Sequence, residues 1–155
     1  MQLSEINQQL CVTGPEFIHR AQQLQTAMLE NLKPEDLIEP PLKHYFANGT
    51  YVREMFAPMG SIIVGKMHRH DHICILLQGS AIIYSEDGPM EVEAPYTFVA
   101  AKGSKRIFVV LDDLIFQNVH LASSTDLDEL ERELIVNEDD ESAVKDFRLS
   151  IGLEY

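Results

Sequence analysis

Between Ser61 and Gly79 the chain reads Ser61-Ile62-Ile63-Val64-Gly65-Lys66-Met67-His68-Arg69-His70-Asp71-His72-Ile73-Cys74-Ile75-Leu76-Leu77-Gln78-Gly79. Two β-branched apolar runs flank a histidine-rich stretch, and a turn dipeptide closes the second run. Short apolar runs bounded by turn residues are strand signals. The same texture extends outward in both directions. Strands are expected over Lys43 to Ala47, Thr50 to Phe56, Ser61 to His70, His72 to Leu77, Ser80 to Ser85, Met90 to Ala94, Tyr96 to Ala101, Arg106 to Leu111 and Leu114 to Leu121. Asn48-Gly49, Met59-Gly60, Gln78-Gly79, Asp87-Gly88, Lys102-Gly103 and Asp112-Asp113 separate most of them. Many short strands at regular spacing predict an all-β sandwich or barrel that hides its edges.

Helical patterns flank this region. Thr13-Gly14-Pro15-Glu16 reads as a capping box opening a helix that Lys33-Pro34 closes, with Phe17, Ala21, Leu24, Met28 and Leu32 on one apolar stripe. Thr125 to Asp128 reads as a second N-cap, and Leu127, Leu130, Leu134 and Ile135 give a short C-terminal helix its apolar side. The acidic stretch from Glu138 to Glu141 reads as a solvated loop. The organisation expected is an N-terminal helix and connection (1–42), a barrel (43–122) and a C-terminal helix with an acidic tail (123–155).

At 155 residues the chain is the size of one domain, and 45% hydrophobic with 24% charged residues is an ordinary globular balance. Twelve Lys plus Arg against twenty-five Asp plus Glu leave a net charge of -13, which disfavours general nucleic-acid binding. No apolar run approaches the roughly 20 residues of a membrane helix, and MQLSEINQQL is too polar for a signal peptide. A cytoplasmic location is expected, with Cys11 and Cys74 as reduced thiols and Asn48-Gly49 as a hairpin turn.

The histidines carry the chemistry. On one extended strand Ile62, Val64, Lys66, His68, His70 and His72 would share a face, with Met67, Arg69 and Asp71 on the other, turned to solvent. Imidazoles facing a barrel interior are ligands for zinc, iron, copper or nickel. On a straight strand, however, His68 and His72 lie about 13 Å apart, too far to share an ion. Either neighbouring histidines cooperate, or the chain bends near Arg69 to Asp71 and brings His68 and His72 together.

From Thr50 to His120 the sequence resembles the cupin superfamily, whose small barrels carry two blocks around an interior metal. The first block is Gly, a His-x-His pair, a Glu three or four residues on, then six residues and Gly. Counting back from Gly79 places His72 at the Glu position, His68 at the second His and Lys66 at the first. The second block, Pro-x-Gly followed two residues later by His, is similar to Ala101-Lys102-Gly103-Ser104-Lys105-Arg106, with Arg106 in place of the His. Gly65-Lys66-x-His68-x-x-x-His72, Gly103-x-x-Arg106, Val119-His120 and Thr125-Asp126-Leu127-Asp128 together resemble small cupin-like proteins of tailed bacteriophages and prophages, a group without a settled activity. The resemblance implies a double-stranded β-helix, or jelly roll, and a source in host cytoplasm or virion.

Two ligand positions have become cations, and Lys or Arg repels a divalent ion. One expectation is a reduced metal site of His68, His72 and His120, taking Zn, Fe, Ni or Mn. The other is a metal-free pocket in which Lys66 and Arg106 clamp a small anion, with His70 and Tyr84 as further lining. The functions these imply are a non-catalytic binding protein, an oligomeric virion structural or accessory protein, and a metal-dependent enzyme in which Tyr84 or Lys66 handles protons.

Overall fold

The computed structural model describes residues 2–37 and 39–155. Among them, the strands β1 (Leu42–Ala47), β2 (Thr50–Ala57), β3 (Ile62–Val64), β4 (His72–Tyr84), β5 (Met90–Glu93), β6 (Tyr96–Ala100) and β7 (Ile107–Leu121) form one antiparallel sheet. Helices α1 (Leu3–Leu10) and α2 (Gly14–Asn31) precede it, and α3 (Leu127–Leu134) and α4 (Glu141–Ser150) follow. The all-β jelly roll with terminal helices is thus the architecture observed. No helix of the described residues is long and apolar enough to cross a membrane.

The long strands β4 and β7 organise everything else. Gln78-Gly79 and Asp112-Asp113, expected to end strands, instead bend two continuous ones. The β4–β7 register shifts between Leu76 and Gln78, between Gln78 and Ser80, and between Ser80 and Ala81. Such bulges turn a strand without terminating its pairing. Gly79 sits at φ +87°, and a Cβ there would lie 2.3 Å from the Asp113 carbonyl oxygen, so the two chains cross closer than any side chain allows.

The bend divides the sheet. On one side β1, β2, the C-terminal half of β7, the N-terminal half of β4 and β6 lie in that order. On the other lie β3, the N-terminal half of β7, the C-terminal half of β4 and β5. Alternate residues point inward, and the two halves bury Met55, Leu76, Ile83, Val92, Phe108, Val110, Leu114 and Phe116 between them.

The outer face of the second half is apolar as well, because the N-terminal helices cover it. Ile6, Leu10, Phe17, Ile18, Ala21 and Leu24 pack on Tyr84, Ile107 and Val109. This explains why the β7 run Ile107 to Val110 is buried on both faces. Of the expected α2 stripe, Phe17, Ala21 and Leu24 are buried, whereas Leu32 is 40% exposed. Helix α1 lies outside the helical patterns legible in the sequence. The expected capping box is also absent from α2: Thr13 makes no side-chain cap, and the Gly14 amide donates to the Glu86 carbonyl instead, which ties the helix start to the β4–β5 turn. Asp126, one residue beyond Thr125, caps α3 by accepting from the Asp128 and Glu129 amides. The Asn48-Gly49 hairpin joins β1 to β2 as expected, and both cysteines are free thiols.

The segment from Glu138 to Glu141 is not simply solvated. Glu138 accepts from buried Lys105 (2.7 Å) and from the Met67 amide (3.1 Å), and Glu141 begins α4. Helix α4 docks through Val144 and the fully buried Arg148, whose guanidinium holds Glu86 and the Gly103 carbonyl.

Candidate metal centre

The inward face changes character along the barrel. Toward the bend it is lined by Phe116, Leu76 and Leu114; toward the far end the same strands present His120 and Asn118 from β7 and His72 and Cys74 from β4. His68 reaches them from the loop after β3. Ring centroids lie 4.2 Å apart for His68 and His72, 4.5 Å for His72 and His120, and 5.2 Å for His68 and His120. One ring nitrogen from each of the three falls within 4.8 Å of the others.

The convergence comes from a bend, the second of the two routes the sequence left open. The chain leaves β3 after Val64, and backbone bonds then fasten the loop to the segment following α3. The Val136 amide donates to Met67 (3.0 Å) and the Arg69 amide to Leu134 (2.8 Å), while on the other side the Gly103 amide of the β6–β7 turn donates to the His68 carbonyl (2.9 Å). His68 itself makes an isolated bridge with Ile135. The simple alternation expected over Ser61 to His70 therefore fails. Met67 is fully buried where alternation places it outside, and His70 is exposed where alternation places it inside.

Burial keeps the imidazoles neutral. It pushes His68 down to about 2 and His120 to about 4, with the neighbouring histidines and Arg53 adding to the effect in each case. His72 is also lowered by burial, against the favourable bond to Asn118. Asn118 Oδ1 lies 3.0 Å from His72 Nε2, and a carbonyl oxygen only accepts, so Nε2 carries the proton. That leaves Nδ1 as a bare lone pair, and this buried atom has no hydrogen-bond partner. Three neutral imidazoles, one with an orphaned lone pair, are a donor set that fits a transition-metal ion. An oriented second nitrogen is what a metal-binding histidine normally requires.

The other sequence-derived candidates are divided. Arg106 shares inward parity with Phe108 and Val110; it lies 5.3 Å from the centroid of Phe98 and donates to Ser104 Oγ at 2.8 Å. It is close enough to add to the lowering of the His72 pKa that burial begins. Lys66 is exposed and paired with Glu131 on α3 at 2.8 Å. Tyr84 is buried under the N-terminal helices, donating to Asn7 at 3.0 Å, and lies in a different packing cluster from the histidines. Lys66 and Tyr84 are thus not brought to the triad, whereas Arg106 and the exposed His70 reach it only through space, Arg106 acting on His72 and His70 on His120. Cys74 touches His72 Nε2 at 3.4 Å, but burial lifts its thiol to about 12, so it is no nucleophile.

Arg53, Tyr51 and Asn118 escaped the sequence reading. In the β2–β7 register Tyr51 faces His120 and Arg53 faces Asn118. Tyr51 stacks on His120 at 6.0 Å and bonds His44 Nδ1 at 2.7 Å, while Leu130 and Leu134 of α3 pack on its other side. The available signal was parity: Tyr51, Arg53, Met55 and Ala57 alternate along one strand.

No known protein family and no curated protein matches the chain. Among solved structures it is similar to an uncharacterised double-stranded β-helix protein of Klebsiella pneumoniae, with TM-score 0.49 and 18% identity, covering 64% of this chain and 90% of that one. KdgF from Halomonas is similar with TM-score 0.48 and 18% identity, over 56% of this chain and 81% of that one. A cupin-2 domain protein of Shewanella frigidimarina is similar with TM-score 0.45 and 12% identity, over 62% and 99%.

Proposed function

We propose that the chain is a metal-binding protein of cupin type in which His68, His72 and His120 hold one divalent transition-metal ion at the end of the barrel. The observation that carries this is the buried, unpartnered Nδ1 of His72 within a cluster of three neutral imidazoles. An all-nitrogen set favours zinc, nickel or iron, whereas manganese prefers carboxylates. A bound ion would supply Lewis acidity, polarising an oxygen ligand and lowering the pKa of a bound water.

The protein's own groups orient and enclose. Asn118 fixes the His72 tautomer, the Glu138-anchored loop positions His68, and Tyr51 with Leu130 and Leu134 shields His120 from bulk water. Lys66 and Tyr84, the two groups considered for proton handling, lie outside the cluster. This placement supports capture of metal or ligand over turnover.

Elemental analysis of protein purified from medium supplemented with zinc tests the proposal. Near-stoichiometric metal is expected in the native protein, and His72→Ala and His120→Ala are expected to lose it while keeping a native circular-dichroism spectrum. Metal content below one ion per ten chains in the native protein, or unchanged content in both variants, refutes it.

One observation favours assembly as an additional property. Tyr45, Val52, Val119, Ile73 and Val99 pair in register across five strands, forming an apolar row over the outer face of the first half-sheet, with Tyr45, Ile73 and Val99 exposed. A second copy of the chain meeting this row would be a homodimer. Light scattering that returned 17.6 kDa at all concentrations would rule that out.

A further inference from the structure

Charged side chains elsewhere in the interior are neutralised locally. Lys105 is paired with Glu138 at 2.7 Å and Arg148 with Glu86 at 2.6 Å. The two arginines of the lumen are different. Among the described residues Arg53 has no side-chain hydrogen bond or ion pair, and Arg106 bonds only a serine hydroxyl. Glu39 and Glu131 are near enough to Arg53 to act on it through space, yet neither pairs with it.

Register gives the relative placement of the two. Arg53 faces Asn118, Asn118 faces Cys74, and Cys74 faces Phe98, so these four lie on one row across β2, β7, β4 and β6. Arg106 stacks at the Phe98 end of that row. Three interstrand spacings, about 14 Å, therefore separate the β2 backbone at Arg53 from β6. Both side chains have inward parity, and both act on the histidines through space, Arg53 on His68 and His120 and Arg106 on His72. The lumen end thus holds two half-buried guanidiniums with no paired carboxylate, Asp87 and Glu86 acting on Arg106 only through space as Glu39 and Glu131 do on Arg53, and a bound divalent cation would increase the positive charge there. Partly desolvating a charge that has no paired counterion is costly, and an anion within the lumen lowers that cost.

We propose that Arg53 and Arg106 form a two-sided clamp for a small dicarboxylate ligand, one carboxylate to each guanidinium. Planar guanidinium forks match carboxylates bidentately, and each of the two is close enough to the histidine cluster to act on it. The clamp rests on the reading of this lumen end as a ligand site, but its guanidinium contacts do not require the metal.

Isothermal titration of malonate and succinate into metal-free and zinc-treated protein tests it, with malonamide as the uncharged control and inorganic phosphate as the competing oxyanion. Saturable binding of at least one dicarboxylate is expected, with malonamide silent. Arg53→Gln and Arg106→Gln should each weaken binding tenfold or more, and Arg53→Lys, which keeps the charge but loses the fork, should fall between. Zinc content measured in parallel separates the two ideas. Dicarboxylate binding without zinc uptake sustains the clamp and removes the metal, whereas zinc uptake without dicarboxylate binding does the reverse. Wild-type affinity in Arg53→Gln, or phosphate bound as tightly as either dicarboxylate, overturns the clamp, with thermal melts confirming that each variant is folded.

Discussion

Replacing Glu138 by Ala reaches the metal centre through its support. Among the described residues Glu138 is the only carboxylate bonded to Lys105, whose side chain is 1% exposed, and its other oxygen holds the Met67 amide one residue before His68. Burial already lowers the Lys105 pKa, with Glu138 opposing the shift, so removing the carboxylate leaves a buried ammonium without a countercharge. Loss of one partner from a buried pair costs about 3–5 kcal/mol. With a urea dependence of about 2 kcal/mol per molar, the unfolding midpoint should fall by roughly 1.5–2.5 M. Lys105→Met removes the ammonium itself and leaves Glu138 bonded to Met67, so it should cost only about 1–2 kcal/mol. The double variant should then be more stable than Glu138→Ala alone, and its zinc affinity should stay low because the His68 loop is still unfastened. Urea titration followed by fluorescence or circular dichroism reads all three. A Glu138→Ala loss below about 1 kcal/mol, or a double variant less stable than Glu138→Ala, would refute the placement of the pair.

Three further outcomes are expected. Metal-free protein should lose stability as pH falls below 6.5, because the unfolded chain then takes up protons that the buried imidazoles refuse; for His120, lowered to about 4, this amounts to about 3 kcal/mol by pH 4, measured as melting temperature against pH, and a flat profile would contradict neutral histidines. Gly79→Ala should destabilise the protein by more than about 3 kcal/mol or prevent folding, since it combines a left-handed backbone with a Cβ driven into the Asp113 carbonyl; a melting temperature within a few degrees of wild type would show that β4 and β7 do not cross so closely. A thiol reagent at pH 8 should modify exposed Cys11 promptly and Cys74 only on unfolding, so two fast equivalents would contradict the burial of Cys74.

The sequence displayed the barrel because its signal is local: alternation, β-branched runs and turn dipeptides. What it displayed poorly was where a turn dipeptide bends a strand and where it ends one. Gln78-Gly79 and Asn48-Gly49 look alike in one dimension, but only the former lies against a second bend at Asp112 and Asp113. The site was half legible for a related reason. His68, His72 and His120 were recognisable as residue types, while their meeting depends on contacts from Leu134 to Val136, some 66 residues away from the loop they fasten. Arg53 was hidden by its neighbour: in Arg53-Glu54 one charge must face inward, and no local rule says which. Glu138 was hidden in an acidic run whose other members, Asp139, Asp140 and Glu141, are exposed. Lys66 shows the opposite failure, a cation in a ligand position that found a carboxylate on α3 at the surface.

Because β4 and β7 serve both half-sheets, the two halves are tied to each other through one shared ladder. Separating the halves would tear that ladder, whereas α3 is a peripheral element packed over Tyr51 beside the histidine end. It is held by Leu130 and Leu134 against Tyr51, by an exposed Lys66–Glu131 pair of small energetic worth, and at its C-terminal end by the backbone bonds from Leu134 to Val136 onto the His68 loop. Local undocking of this eight-residue helix would leave the shared ladder intact and cost only a fraction of the free energy of global unfolding.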